Sequence, residues 1–128
     1  MKRLSSNPKP DDHDESAEMV NSGQIPFADN RNSKYRFQRE SVLLNAPESS
    51  GIYGLFSALW VHIGEADNLR ARLLEHLDGD NPCIVHYKPS SFAFELVSPT
   101  QRRPRHEELT RKLQPMCNGK TFAYRLRS

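Results

Sequence analysis

Residues 48 to 77, ESSGIYGLFSALWVHIGEADNLRARLLEHL, constrain the fold more than any other part of the chain. GIYGLF and ALWVHIG are short runs rich in β-branched and aromatic side chains, separated by little more than Ser57, and such a pair reads as a tight hairpin. Alternation along the second run puts Trp60, His62 and Gly64 on one side, with Val61 and Ile63 on the other. Gly64 then breaks the strand, and Asp67 can cap a helix by accepting a backbone N–H bond. DNLRARLLEHL carries Leu69, Leu73 and Leu77 at helical spacing.

Further along, DGDNPC ends this helix with Gly79 and Pro82, CIVHY reads as a short extended piece, and SFAFELV alternates well enough for a third strand. PTQRRPR reads as a basic loop, and RHEELTRKLQ as a second amphipathic helix with Leu109 and Leu113 inward, closed by Pro115. The order ββαβα predicts a small α+β domain over residues 51–118, a central three-stranded antiparallel sheet flanked by helices. A lead-in, residues 34–50, brings Tyr35, Phe37, Val42, Leu43 and Leu44 into a short turn of helix ended by Pro47. Residues 1–33 hold too few apolar side chains to fold alone and read as a disordered tail. Residues 119–128, with Phe122 and Tyr124, form a C-terminal extension, either a final strand or a packed arm.

A chain of 128 residues is one domain's worth, enough to bury a core without staples. Charge is uneven along it. Up to Ser33 there are four basic against six acidic residues, and beyond it fourteen against ten, so the folding part is mildly basic and suits a polyanionic partner. Cys83 and Cys117 lie far apart without metal-type spacing, which predicts a reduced thiol pair in a cytoplasmic protein ahead of a disulfide. No long apolar stretch stands near the start, so neither a signal peptide nor a membrane span is expected.

Arg72 and His76, four apart, stand one turn above the other on the first helix, at the edge of its leucine stripe. A guanidinium there offers a fork of donors to a phosphate, and an imidazole can bond a second oxygen or pass a proton. The bland alternative pairs Arg72 with Glu75 or Asp78 on the surface. His62 sits inside an apolar strand. It is either an exposed strand residue or a site residue facing Tyr53 across the hairpin.

These residues also carry a resemblance. Gly51-Ile52-Tyr53 matches the first tripeptide of the GIY-YIG nuclease superfamily, and His62-Ile63-Gly64 occupies the second, with His in place of Tyr. Arg72, eight residues after Gly64 within NLRARLLEHL, lies where the family has its catalytic arginine, and His76 matches a recurrent histidine. EELTRKLQPMCN resembles the family's ending, with Pro115 and Asn118 in register. The resemblance covers about residues 48 to 118 and implies hydrolysis of a nucleic-acid phosphodiester with one divalent ion, Mg²⁺ or Mn²⁺. Tyr53 would activate or orient the water, His62 would assist it, and Arg72 would hold charge developing on the phosphate. Gly51, Gly64 and Asn118 would support the motifs.

The family places a metal-binding glutamate nine residues before the proline of its ending, and here that position is His106. A hard cation prefers oxygen, so Glu107 next to it is the other candidate ligand, although one step turns a helical side chain by about 100°. Arg102, Arg103, Arg105, Arg111 and Lys112 gather nearby and could contact phosphates, DNA ahead of RNA, or simply solubilise a loop. Zinc-finger, helix-turn-helix and RNA-binding aromatic patterns are absent from the sequence. Three functional classes follow: a metal-dependent nuclease, a fold that only binds nucleic acid, and a protein-interaction domain.

Overall fold

A computed structural model of the chain describes residues 19–20, 26–27 and 34–118. Its elements are β1 (Tyr35–Arg36), α1 (Arg39–Asn45), β2 (Gly51–Phe56), β3 (Trp60–Ala66), α2 (Leu69–Leu77), α3 (Pro82–Tyr87), β4 (Ser91–Leu96) and α4 (Pro99–Leu113). The sheet is antiparallel and four-stranded, in the order β1-β4-β2-β3. The three expected strands are therefore joined by a fourth, the short edge strand β1.

Strand β2 is central, and all six of its residues are buried. Tyr53 and Leu55 face one side with Phe92 and Phe94, against Val42 of α1, Leu69 and Leu73 of α2 and Ile84 of α3. Ile52 and Phe56 face the other, against Ile63, Trp60, and Leu109 and Leu113 of α4. Helices thus cover both faces. The hairpin register shifts between Leu55 and Phe56, which pair with His62 and Trp60. This bulge leaves Val61 extra, so Trp60 joins the α4 face while Val61 joins the opposite core, contrary to simple alternation.

Other expectations are corrected in the same way. The cap of α2 is Asn68, whose side chain accepts from Ala71 N–H at 3.0 Å, because the Asp67 carboxylate is engaged by Arg102 at 2.5 Å. CIVHY is helical. Asn81 accepts from the N–H groups of Cys83 and Ile84, and Pro82 occupies the first turn, a start signal stronger than the β-branched composition that follows. PTQRRPR is no loop but the first half of α4, begun by Pro99 and continuing through Pro104. Arg102 within it is tied to Glu65 and Asp67, and Arg105 to Glu95, whereas Arg103 stays exposed.

Cys83 and Cys117 form a disulfide, with Cα atoms 5.8 Å apart across a sequence separation of 34. The reduced pair expected from the sequence is overturned, since the fold brings α3 beside the turn after α4. A cross-link of this loop length stabilises by about 3 to 4 kcal/mol in the chain-entropy account. Within residues 1–33, the described ones pack on the sheet. Val20 N–H bonds Ala58 O at 3.0 Å, and Phe27 is buried against Trp60. The rest of that expected tail, and the extension 119–128, lie outside the described residues.

The far edge of the sheet is closed by the segment after α4. Met116 N–H and Cys117 N–H bond the carbonyls of Trp60 and Val61. Asn118 then takes Ile63 N–H on its Oδ1 at 2.7 Å and donates from Nδ2 to Ile63 O at 2.6 Å, continuing the ladder with a side chain.

Candidate functional site

Antiparallel pairing sets Tyr53 directly opposite Gly64, and a Cβ at residue 64 would run into the tyrosine ring and hydroxyl. The glycine is thus the space Tyr53 occupies. Gly51 has a related role, because a Cβ there would meet the carbonyl of Glu95. With Gly64 on that side, His62 points the same way, and helix α2 lowers His76 onto the tyrosine from above.

The hydroxyl of Tyr53 lies 2.6 Å from His76 Nε2 and 3.4 Å from His62 Nε2. The two imidazoles cross edge to face, their centroids 5.2 Å apart. His76 Nδ1 is 2.8 Å from Asp80 Oδ1, and the other oxygen of Asp80 accepts from Arg72 Nη1 at 2.7 Å. Arg72 Nη1 also donates to Glu75 at 2.6 Å. A carboxylate only accepts, so His76 carries its proton on Nδ1 and its bare Nε2 accepts from Tyr53 O–H. His62 then donates weakly from Nε2 to the tyrosine oxygen. Its Nδ1 is buried and has no hydrogen-bond partner among the described residues.

Burial governs the protonation of this cluster. It pushes the Tyr53 phenol well above its ordinary value, against the opposing pull of the Arg72 charge. It holds His62 down to about 3, with the nearby His76, Arg72 and His106 adding to the effect. His76 is lowered by burial as well, partly offset by Asp80. Burial opposes the charge on Arg72, but the bonds to Glu75 and Asp80 outweigh it and raise the guanidinium further. Asp80 resists burial in the same manner, held below the usual carboxylate range by His76 and Arg72. Tyr53 is only 1% exposed, and the open side of the cluster is formed by the half-buried Arg72 and by Asp80.

Of the two surface partners weighed for Arg72 from the sequence, Glu75 or Asp78, Glu75 is bonded to it. Asp78 turns away to Arg39, and Asp80, which the sequence reading passed over as part of a turn, takes its place. Its spacing was the available signal, four residues after His76 as His76 is four after Arg72.

The residues expected to hold a divalent ion do not fit one. His106 Nε2 donates to Ile63 O at 3.0 Å, which leaves only Nδ1 bare, a nitrogen donor where a hard cation prefers oxygen. Glu107 is exposed and makes no hydrogen bond or ion pair among the described residues, whereas Glu108 pairs with Arg105. Among the described residues no three of His, Cys, Asp and Glu are grouped to hold a metal ion. The basic residues also divide. Arg102 is spent on Asp67 and Glu65, and Arg105 grips Glu95 through two bonds of 2.8 and 2.9 Å. Arg103, Arg111 and Lys112 are exposed.

No protein-family model matches this chain, and no curated protein does. Solved structures do. The GIY-YIG N-terminal endonuclease domain of UvrC from Thermotoga maritima, bound to its catalytic divalent cation magnesium, superposes with a TM-score of 0.55 at 24% identity, over 63% of this chain and 94% of that one. A tyrosine point mutant of the same domain gives 0.56 at 22% identity, over 64% and 94%. These likenesses define the class, an α+β domain with a nuclease-type fold. More particularly, the fold is GIY-YIG-like, and the resemblance carried by GIY and HIG holds at the level of the backbone. No helix among the described residues is long and apolar enough to cross a membrane.

Proposed function

We propose that this chain cleaves phosphodiester bonds of nucleic acid, DNA ahead of RNA, with Tyr53, His62, Arg72 and His76 as its catalytic groups. The observation that carries the reading is the run of contacts that joins the charged Arg72, through Asp80 and His76, to the Tyr53 hydroxyl, whose bond to His76 is 2.6 Å. Arg72 binds a phosphate oxygen in place of its carboxylate partners and holds the charge that develops in the pentavalent state. Tyr53 orients the attacking water, and the neutral imidazole of His62 helps to fix the phenol. Arg103, Arg111 and Lys112, being exposed, contact flanking phosphates, whereas Arg102 and Arg105 act within the fold.

The Mg²⁺ or Mn²⁺ implied by the family resemblance finds no fitting donor set at His106 and Glu107 among the described residues. That misfit favours a second reading, a GIY-YIG-like domain that binds nucleic acid without cutting it. One assay separates the two. The full chain is incubated with duplex, branched and single-stranded DNA and with RNA, each in Mg²⁺, Mn²⁺ and chelator. Cleavage that Arg72→Ala abolishes, with an unchanged circular dichroism spectrum, supports the nuclease. Salt-sensitive binding without product under every condition supports the binder.

A further inference from the structure

We infer that Asp80 is a positioning residue which makes His76 the proton acceptor for Tyr53. The inference rests on the nuclease reading above. Three polar contacts lie in series, Tyr53 Oη to His76 Nε2 at 2.6 Å, His76 Nδ1 to Asp80 Oδ1 at 2.8 Å, and Asp80 Oδ2 to Arg72 Nη1 at 2.7 Å. His76 has no exposed side-chain surface, so its proton can travel only along that series.

Tautomer is the point of the arrangement. A neutral imidazole has one N–H, and either nitrogen may bear it at similar free energy in water. Asp80 places that proton on Nδ1 and so keeps Nε2 bare toward the phenol. When the attacking water gives a proton to the Tyr53 oxygen, the phenol's own proton passes to His76 Nε2. One water O–H bond breaks as the O–P bond forms, the phenol O–H breaks as the N–H on Nε2 forms, and the departing oxygen takes its proton from solvent. The imidazolium that results is balanced by the Asp80 carboxylate, which needs no metal to be present.

The second oxygen of Asp80 adds a division of labour. A phosphate that captures Arg72 competes with Oδ2 and with Glu75 rather than with Oδ1, which keeps its hold on His76 during binding. The charged and titratable groups facing the imidazole are Asp80, Arg72 and Glu75, with Tyr53 and His62 beneath it.

The test uses Asp80→Ala and Asp80→Asn in the full chain, with two readouts. Long-range ¹H–¹⁵N spectra of His76 should show the proton on Nδ1 in the wild type and a mixed or reversed tautomer in D80A. On whichever nucleic acid the wild type cleaves, D80A should lower kcat by about 10²-fold without raising KM, because Arg72 is released toward phosphate. D80N keeps an oxygen for Nδ1–H and should recover part of kcat. Having lost the negative charge that helps His76 protonate, it should also move the acid limb of the kcat profile to lower pH. An unchanged His76 tautomer in D80A, or an unchanged kcat, overturns the inference. A wild type that cuts nothing overturns the nuclease reading instead, and the spectra then decide the tautomer by themselves.

Discussion

Replacing Asn118 by alanine tests how the sheet edge beneath the site is held. Asn118 is the acceptor for Ile63 N–H at 2.7 Å and a donor to Ile63 O at 2.6 Å. The carbonyl keeps a second donor in His106 at 3.0 Å, so the mutation orphans the N–H alone. A buried donor left unpaired costs about 1 to 3 kcal/mol, and a bond to an oxygen that retains another partner about 0.5 to 1. Partial access of water at this half-buried position argues for the lower part of the sum, near 2 kcal/mol. His106→Ala alone should cost about 1 kcal/mol for the same reason. In the double mutant the carbonyl loses both donors, and the loss should exceed the sum of the singles by at least ~0.5 kcal/mol. Urea unfolding with the disulfide intact measures this, the N118A midpoint falling by about 1 M for an m-value near 2 kcal/mol/M. A loss below about 0.5 kcal/mol in N118A, or strict additivity with H106A, would refute the reasoning that these two side chains share one carbonyl.

Gly64→Ala drives a Cβ into the Tyr53 ring, and overpacking of this kind costs about 1 to 3 kcal/mol. Urea unfolding should record that loss, and any cleavage activity should fall with it as the phenol is pushed off His76. Acid should destabilise the fold through His62, which is held at about 3 by burial while the unfolded chain titrates near 6.5. Below that unfolded value the unfolded state binds the extra proton, so stability is full above it and is lost as pH falls toward 3, by up to about 1.4 kcal/mol per unit. His62→Phe should remove that share of the slope in unfolding curves taken between those limits. If nucleic acid is bound, Arg103→Gln, Arg111→Gln and Lys112→Gln should each reduce the slope of log K against log salt by roughly 1 where the residue meets a phosphate. Arg102→Gln should instead lower stability and leave the slope alone, since its guanidinium belongs to Asp67 and Glu65.

What could be read in advance depended on whether the physics was local. The hairpin and α2 were legible because periods of 2 and 3.6 are written directly into GIYGLF, WVHIG and LRARLLEHL. Trp60 escaped because a bulge shifts alternation by one residue, and no residue in SALW announces it. Strand β1 is too short to carry a pattern, and its Tyr35 is recognisable only beside Phe92 and Phe94. CIVHY has the composition of a strand, but the Asn81-Pro82 start signal before it decides for a helix. The disulfide was illegible because a separation of 34 residues says nothing about a Cα distance of 5.8 Å. The arginines of α4 looked like a loop or an interface for a similar reason, because the acids that fix Arg102 and Arg105 come from β3, β4 and the turn at Asp67.

The same dependence on distant partners explains the character of the site. Histidines stand at the two positions where this chain departs from the family pattern, and both lie along one strand edge, His62 in β3 itself and His106 bonded to Ile63 next to it. A carboxylate at residue 106 would repel the Ile63 carbonyl oxygen, whereas a neutral imidazole can donate to it. His106 is therefore one half of a structural clasp on Ile63 that Asn118 completes from the other side. Charge near Tyr53 comes instead from Asp80 and Glu75 on the helix side, both paired with Arg72. With His62 and His76 neutral, these three groups leave the cluster one negative charge in excess, so an arriving phosphate must win the guanidinium from carboxylates already bonded to it. If nucleic acid is the ligand, its many phosphates, some held by Arg103, Arg111 and Lys112, would win that competition more readily than a single free anion.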